Sequence, residues 1–168
     1  MADGVITDCK VISGEITVNL YNSYVGGVVG ATQGGRIYNT DNTGVHVSGW
    51  GIIGGIVGHN SGGTKIELCY NHANITYTYD TQSGCAGGII GKNISNGAID
   101  RCNNYGTISY GGSYAWNANN RPCMAQIVGW NLKGTITDSK CNGKCDFKNM
   151  TIGQKTYCSD KEVGRTGE

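Results

Sequence analysis

The side chains that could do chemistry in this 168-residue sequence are its three histidines, eight cysteines and twelve acidic residues. His46, His59 and His72 form no His-x-His pair and keep no triad-like spacing to a serine or cysteine. The acidic residues are scattered, whereas cleavage of a glycan needs two carboxyl groups close together on one face. We therefore expect no catalytic residue and a protein that is not an enzyme.

Metal and cofactor sites are not expected either, because every pattern that resembles one is incomplete. Cys141 and Cys145 have no second cysteine pair with which to complete a zinc site. The stretch 39–44 offers oxygen ligands but lacks the spacing and the terminal Glu of a calcium loop. The glycine-rich phrases precede no helical pattern, so they do not predict a phosphate site.

The glycines belong to an internal repeat. Gly-Gly-Ile-Val-Gly occupies 54–58, close copies occupy 26–30 and 87–91, and a worn copy occupies 125–129. Such repeats are typical of solenoid proteins, in which each repeat packs only on its neighbours.

Each repeat also carries two aliphatic positions, which predict two further short strands. The first position holds Ile37, Ile66, Ile99 and Ile136, and the second holds Val45, Ile75 and Ile108. Gly, Asn and Asp between the segments form turns. Strands this short are stabilised by stacking about 4.8 Å above and below their counterparts. We therefore predict an all-β fold, a right-handed parallel β-helix (solenoid) of about four to five three-sided coils.

Two columns of small polar residues agree with stacking. The residues three positions after the first aliphatic position fit a tight inward corner, and they are Cys9, Thr40, Cys69, Cys102 and Ser139. The asparagines near the next turn are expected to bond exposed backbone groups, and they are Asn39, Asn71 and Asn104.

One pair of acidic residues is expected to meet on the outside of the stack. Glu67 and Asp100 hold the same repeat position in successive coils. Two stacked carboxylates could bind a cation or act on a sugar. Because Lys65 and Arg101 stand beside them, we favour a solvated, charge-balanced face.

The repeats are predicted to cover 1–145, with 146–168 as a C-terminal cap and tail. The end of a solenoid must be covered, and Phe147, Met150, Ile152 and Tyr157 could do so. A formal net charge of +1 gives no electrostatic case for nucleic acid. No apolar run reaches about 18 residues, so no membrane span is expected. The first residues lack a signal-peptide pattern and are interpreted as the start of an excised fragment.

The repeat as a whole resembles a known family. Gly-Gly-Ile-Val-Gly followed by Ile-x-x-Cys-x-Asn-x-Gly-x-Ile, as at 99–108, is similar to the GLUG-type repeat over residues 4–145. Such repeats occur in large bacterial cell-surface proteins, including immunoglobulin-A-cleaving metallopeptidases and proteins of gut anaerobes. The resemblance implies an extracellular location on a bacterial cell surface and a monomeric fragment of a larger protein. No His-Glu-x-x-His motif occurs, so the peptidase activity does not carry over.

The repeats differ in length mainly at one connection, which leads to the next glycine phrase. It takes 13 residues from Ile75 and 18 from Ile108, but 10 or 11 in earlier copies. Equivalent connections lie on one side of a solenoid, so loops 76–86 and 109–124 are predicted to be neighbours. Rings with amides suit sugars, and Tyr, Trp and Arg suit protein interfaces. The predicted ligand-binding residues are Tyr77, Tyr79, Tyr110, Tyr114, Trp116, Asn117, Asn119 and Arg121.

Two interpretations of these rings stay open. They either contact a ligand or pack beneath the loops as a satellite core, since aromatic residues fit a β surface in any case. Tyr21, Tyr24 and Trp50 stand at the same place in the shorter connections.

The cysteines also allow two interpretations. An even number permits disulfides in an exported protein. Cys85 and Cys123 hold one position in successive copies, close enough in a parallel stack for a bond that joins the long loops. For Cys69 and Cys102, deeper in the stack, we favour buried free thiols.

Three functions follow in order of preference. The first is a non-enzymatic surface module that binds a host macromolecule, either a protein such as immunoglobulin or a glycan. The second is a structural stalk of a surface adhesin, against which the lengthening loops argue. The third is a polysaccharide-active β-helix enzyme, against which the scattered acidic residues argue.

Overall fold

A computed structural model describes residues 4–78, 84–112 and 122–146, together with the backbone of 158–159 and 163–166. These residues contain strands and turns but no helix. The strands form five parallel sheets, and each sheet takes one strand from each of five successive coils. The predicted parallel β-helix is confirmed, as a β-solenoid whose strands are stacked through about four turns.

The strands of the first three coils are short, and their bounds are as follows. The first coil contains β1 (Val5–Thr7), β2 (Lys10–Val11), β3 (Gly14–Val18), β4 (Tyr24–Gly26) and β5 (Val29–Thr32). The second contains β6 (Arg36–Tyr38), β7 (Asp41–Asn42), β8 (Val45–Gly49), β9 (Ile52–Gly54) and β10 (Val57–Asn60). The third contains β11 (Lys65–Glu67), β12 (Tyr70–Asn71), β13 (Ile75–Tyr77), β14 (Cys85–Gly87) and β15 (Ile90–Asn93).

The last two coils repeat the pattern. The fourth contains β16 (Ala98–Asp100), β17 (Asn103–Asn104), β18 (Ile108–Tyr110), β19 (Cys123–Ala125) and β20 (Val128–Asn131). The fifth contains β21 (Thr135–Thr137), β22 (Lys140–Cys141), β23 (Cys145–Asp146), β24 (Cys158–Ser159) and β25 (Val163–Thr166). We name the sheets A to E after the first to fifth strand of each coil. A coil has five strands rather than three because two of the three predicted segments bend in the middle.

The first bend, between sheets A and B, is made by a residue with left-handed backbone. The φ angle lies between 48° and 55° at Asp8, Asn39, Leu68, Arg101 and Asp138. The next residue donates its hydroxyl or thiol hydrogen to the carbonyl oxygen two residues before it, and these donors are Cys9, Thr40, Cys69, Cys102 and Ser139. This column lies at the corner, as predicted, and each side chain adds a local hydrogen bond across the turn.

The glycine phrase makes the second bend, between sheets D and E, where backbones approach closely. A Cβ atom at Gly54 would lie less than 3.0 Å from the carbonyl oxygen of Val57. One at Gly55 would come as close to the carbonyl oxygen of Gly88 in the next coil, and one at Gly58 would overlap the preceding coil. None of these three positions has space for a side chain, so each requires glycine.

Aliphatic ladders fill the interior. The first runs in register through Ile6, Ile37, Ile66, Ile99 and Ile136, as predicted. The second runs through Ile16, Val47, Ile75 and Ile108. The assignment of Val45 to this second ladder is wrong, because Val45 pairs with Gly14. Val45 and Val47 both face inward at the two-residue period of a strand, so the sequence does not distinguish them.

A buried asparagine ladder runs beside the core in sheet B. Asn42, Asn71 and Asn104 are successive register partners and are fully buried. Asn71 Nδ2 donates to Asn104 Oδ1 at 2.7 Å. Asn42 rather than Asn39 belongs to this ladder, because Asn39 is the left-handed turn residue of its coil.

Gln126 ends the asparagine ladder. The register partner of Asn104 in the fifth coil is Cys141, which offers no amide. Gln126 takes the place of the second glycine of the worn phrase, and its Oε1 accepts a hydrogen bond from Asn104 Nδ2 at 2.5 Å. The fourth glycine phrase lacks its second glycine and the fifth coil lacks the asparagine. The side chain of Gln126, which replaces that glycine, makes the hydrogen bond that the missing asparagine would have made.

A second amide ladder, which the sequence did not reveal, runs through sheet E. Asn60 Nδ2 donates to Asn93 Oδ1 at 2.9 Å, and Asn93 Nδ2 donates to Asn131 Oδ1 at 3.0 Å. The Nδ2 atoms of Asn60, Asn93 and Asn131 also donate to carbonyl oxygens three or four residues later, which closes the turns into the next coil. Both ladders join successive coils through buried side-chain amides, although Asn71 Oδ1 has no hydrogen-bond partner among the described residues.

The C-terminal segment contributes strands as well. The backbones of β24 and β25 extend sheets D and E in register. The predicted cap residues Phe147, Met150, Ile152 and Tyr157 lie outside the described residues. The described part of the chain holds no helix long and apolar enough to cross a membrane.

Candidate functional site

The predicted ligand-binding tyrosines at the starts of the long loops lie in the core. Tyr77 and Tyr110 are register partners in sheet C and are only 0 % and 3 % exposed. They belong to the same buried cluster as Ile75 and Ile108. The interpretation as a satellite core beneath the loops fits these two rings, which offer no exposed face to a ligand.

Glycines make room for the two buried rings at the loop ends. The Tyr77 hydroxyl group occupies the space that a Cβ at Gly84 would need, and the Tyr110 hydroxyl group does the same at Gly112. Each ring is therefore held beneath the chain that enters or leaves its loop. The remaining predicted residues lie outside the described residues, and they are Tyr79, Tyr114, Trp116, Asn117, Asn119 and Arg121.

The other ends of the long loops also lie side by side. Cys85 and Cys123 are direct register partners at the starts of β14 and β19, as the sequence predicted, and both are buried. With Ile52 they form a small cluster outside the main core, against which Trp130 packs. Since both loops begin and end at neighbouring positions, they leave the solenoid from the same flank.

A row of aromatic and basic side chains continues this flank on sheet E. His59, Lys92 and Trp130 are successive register partners on the outer face. The Tyr24 and His59 ring centroids are 4.4 Å apart, and Lys92 Nζ lies 3.9 Å from the Trp130 ring centroid, in cation–π geometry. We define the aromatic flank as loops 76–86 and 109–124 together with Tyr24, His59, Lys92 and Trp130.

The sequence carries a signal for this row that the loop lengths do not show. His59, Lys92 and Trp130 each follow the last glycine of a glycine phrase, so they share one repeat position. That position is the third residue of each strand of sheet E. Comparison of the residues at equivalent positions would have found the row.

The environment of His59 favours its neutral form. Burial and, to a smaller extent, the charge of Lys92 lower the pKa of His59. The Nε2 atom is buried and has no hydrogen-bond partner among the described residues. A proton on this nitrogen would therefore have no acceptor, and at neutral pH the charge of the described row is that of Lys92.

Lowering the pH is expected to destabilise the protein through His59. The unfolded chain takes up the proton near pH 6.5 and the folded chain only below that, so stability falls as the pH drops from about 7.5 to about 5.5. Urea unfolding at both pH values measures the loss. His59→Gln is expected to remove it in large part, whereas His72→Gln, an exposed control, should retain it. Equal pH dependence in all three proteins would contradict this assignment.

The paired acidic residues on sheet A each contact an arginine. Glu67 and Asp100 are adjacent in register, as predicted. Arg36 Nε contacts Glu67 Oε2 at 2.5 Å, and Arg101 Nε contacts Asp100 Oδ2 at 2.8 Å. Hydrogen bonds from Thr137 and then Arg101 lower the pKa of Asp100. A carboxyl group that stays ionised in this way is unsuited to act as a general acid.

The described residues hold no group of three or more His, Cys, Asp or Glu side chains suited to a metal ion. Cys69 and Cys102 are fully buried thiols, which fits the free-thiol interpretation. A hydrogen bond with Cys69 and burial raise the pKa of Cys102, so this thiol stays protonated and unreactive.

Comparison of the chain with protein families, curated protein sequences and solved structures finds no match.

Proposed function

We propose that this chain is a non-enzymatic binding module that engages a host macromolecule through the aromatic flank. The observation that supports this proposal most directly is that the two long loops begin side by side and end side by side. Tyr77 and Tyr110 fix one pair of ends, and Cys85 and Cys123 fix the other. Loops on a rigid scaffold lose less freedom on binding, which favours their use as recognition surfaces.

The described part of the flank supports recognition rather than catalysis. Tyr24 exposes 46 % of its surface, and Trp130 is half-buried beneath the ammonium group of Lys92. Rings next to a cation suit a sugar or a protein surface. The carboxylates of sheet A, by contrast, are paired with arginines.

The resemblance of the glycine phrase to GLUG-type repeats supports a location on a bacterial cell surface. On this proposal the chain is a monomeric segment of a larger protein, exposed on the surface of a bacterium such as a gut anaerobe. A host protein, with immunoglobulin as one candidate, or a glycan is then the partner. A stalk that only spaces other domains is the alternative that the first experiment addresses.

The first experiment is capture of a partner on the immobilised chain. Human serum, intestinal secretion and purified mucin are passed over it, and the material that resists a salt wash is identified. A single retained protein or retained mucin supports a binding module and separates its two forms. If no component is retained at a micromolar concentration of the chain, the result supports the stalk instead.

Trp116→Ala is expected to weaken capture of the retained partner by at least about tenfold, because truncating an interface tryptophan commonly costs more than about 1.4 kcal/mol. The melting temperature should not change. Tyr105→Ala is the matched control, since Tyr105 is a ring with 45 % exposure that stacks on His72, outside the aromatic flank. Equal losses in both variants would contradict the assignment of the flank.

A further inference from the structure

Lys92 places an ammonium group in the middle of the aromatic flank. The side chain is half-buried on the outer face of sheet E, between its register partners His59 and Trp130. Its Nζ atom lies 3.9 Å from the Trp130 ring centroid and makes no ion pair within the described part of the chain. The contact with the ring restricts a side chain that is otherwise flexible. A partly buried charge without a counter-ion is costly, so an anion that reaches this group gains a strong hydrogen bond.

Acidic residues are absent from the sheets that form this side of the solenoid. None of the described strands of sheets D and E contains Asp or Glu, whereas Glu67 and Asp100 lie on sheet A and Asp41 lies on sheet B. The long loops contain one acidic and one basic residue, Asp80 and Arg121. The formal charge of the aromatic flank is therefore positive, which favours a partner with a negative group.

The composition of the long loops favours a sugar over a protein as the anionic partner. Loops 76–86 and 109–124 contain no Val, Leu, Ile or Phe, and most of their side chains carry a hydroxyl group, an amide or an aromatic ring. The core of a protein interface is apolar and needs aliphatic as well as aromatic contacts. Sugar hydroxyl groups, by contrast, are matched by hydroxyl and amide side chains, and sugar C–H faces are matched by rings.

The row on sheet E offers one cation rather than one in every coil. His59 stands before Lys92 in the row and is uncharged at neutral pH because burial lowers its pKa, and Trp130 stands after Lys92. Successive coils are about 4.8 Å apart, close to the length of one sugar unit. A polymer with a carboxylate on every sugar would therefore place carboxylates against two uncharged rings, which is costly. The row suits a glycan with a single acidic sugar at its end.

We propose that the aromatic flank binds a glycan whose terminal sugar carries a single carboxylate, of the sialic acid type. The carboxylate accepts a hydrogen bond from Lys92 Nζ, and the sugar lies along the row beside Trp130. This inference rests on the function proposed above, because it names the class of ligand for the same flank.

The test titrates 3′-sialyllactose and lactose into the ¹⁵N-labelled chain, since the two differ only in the terminal acidic sugar. Saturable shifts of the amide signals of Lys92 and Trp130 are expected with 3′-sialyllactose. Lactose should bind at least about tenfold more weakly, because it lacks the carboxylate. Equal binding of the two sugars, or no saturation at millimolar 3′-sialyllactose, would overturn the proposal.

Two further probes separate this ligand from other carboxylates. Trigalacturonate carries a carboxylate on every sugar, and N-acetylglutamate carries carboxylates without a sugar. Each is expected to bind at least about tenfold more weakly than 3′-sialyllactose. If trigalacturonate binds as tightly, the single acidic sugar is wrong, and if N-acetylglutamate does, the sugar itself is wrong.

Lys92→Gln is expected to weaken binding of 3′-sialyllactose by about three- to tenfold and to leave binding of lactose unchanged. Lys140→Gln is the matched control, since Lys140 is exposed on sheet B. Lys92→Arg keeps the charge above the Trp130 ring and should bind within about threefold of the parent chain. The melting temperatures of all three variants are compared with that of the parent. If Lys92→Gln binds 3′-sialyllactose as tightly as Lys140→Gln does, the role of Lys92 is refuted.

The capture experiment separates failure of this inference from failure of the proposed function. If mucin is retained, sialidase treatment of the mucin should abolish its retention. Retention of untreated and treated mucin alike, or of a protein by a chain that does not bind 3′-sialyllactose, would leave the binding module in place and overturn its acidic sugar. If the chain retains nothing and does not bind 3′-sialyllactose, both proposals are wrong.

Discussion

Gly55→Ala is expected to destabilise the fold by more than about 3 kcal/mol, which is at the upper end for a change of one methyl group. The added Cβ would lie less than 3.0 Å from the carbonyl oxygen of Gly88 and from the buried amide of Asn71. Neither can move alone, because the first belongs to the next coil and the second to the asparagine ladder. Relief would require a wider spacing between coils, which breaks several strand hydrogen bonds at once.

Urea unfolding of Gly55→Ala beside Gly4→Ala measures this effect. Gly4 is the matched control, because a Cβ at this position meets no atom within 4 Å. Its replacement should change the unfolding free energy by less than about 0.5 kcal/mol. A midpoint for Gly55→Ala close to that of Gly4→Ala would show that the glycine phrase is not required by close packing.

The features that the sequence predicted well are those that every coil repeats in the same register. The isoleucine ladder of sheet A could be traced from Ile6 to Ile136 because each coil offers one candidate at that place. The position of Cys85 next to Cys123 in the strand register followed from the same rule. Residues at the same repeat position lie next to each other in the stack, so counting residues along the sequence was sufficient to predict these contacts.

The features that the sequence left hidden depend on which way a chain bends or a side chain points. Val45 and Val47 both fit an inward position, and only the hydrogen bonds decide that Val47 belongs to the ladder. Asn39 and Asn42 are both candidates for the amide ladder, and the left-handed turn at Asn39 excludes it. Bends within two segments also raised the number of strands in a coil from the three expected to five.

The same distinction between repeat position and side-chain direction applies to the candidate site. Loop length predicted the side of the solenoid from which the long loops leave, but it could not decide which rings face outward. Tyr77 and Tyr110 look inward because each is the last residue of a short strand, in phase with the buried Ile75 and Ile108. A two-residue period continued from the ladder would have predicted their burial. The other described rings of the flank are Tyr24, His59 and Trp130.

Asn104→Leu is expected to cost about 3 kcal/mol or more. The side chain is fully buried, and its Nδ2 donates to Gly106 O at 2.8 Å and to Gln126 Oε1 at 2.5 Å. Its Oδ1 accepts from Asn71 Nδ2 at 2.7 Å. Leucine has nearly the same size but leaves these partners without their hydrogen bonds, and each such buried group costs about 1–3 kcal/mol. Chemical denaturation measures the loss.

Asn103→Leu provides the comparison, since Asn103 is half-buried on the outer face and accepts one hydrogen bond from the backbone of Lys140. Its cost should stay near about 1 kcal/mol. A double-mutant cycle then tests the ladder itself, because Gln126→Met should cost less when Asn104 is already leucine, with a coupling of about 0.5–3 kcal/mol. Strictly additive costs would mean that Gln126 does not replace the asparagine missing from the fifth coil. Coupling would mean that the exchange of Gly for Gln and the exchange of Asn for Cys141 are one structural change, made where the amide ladder ends.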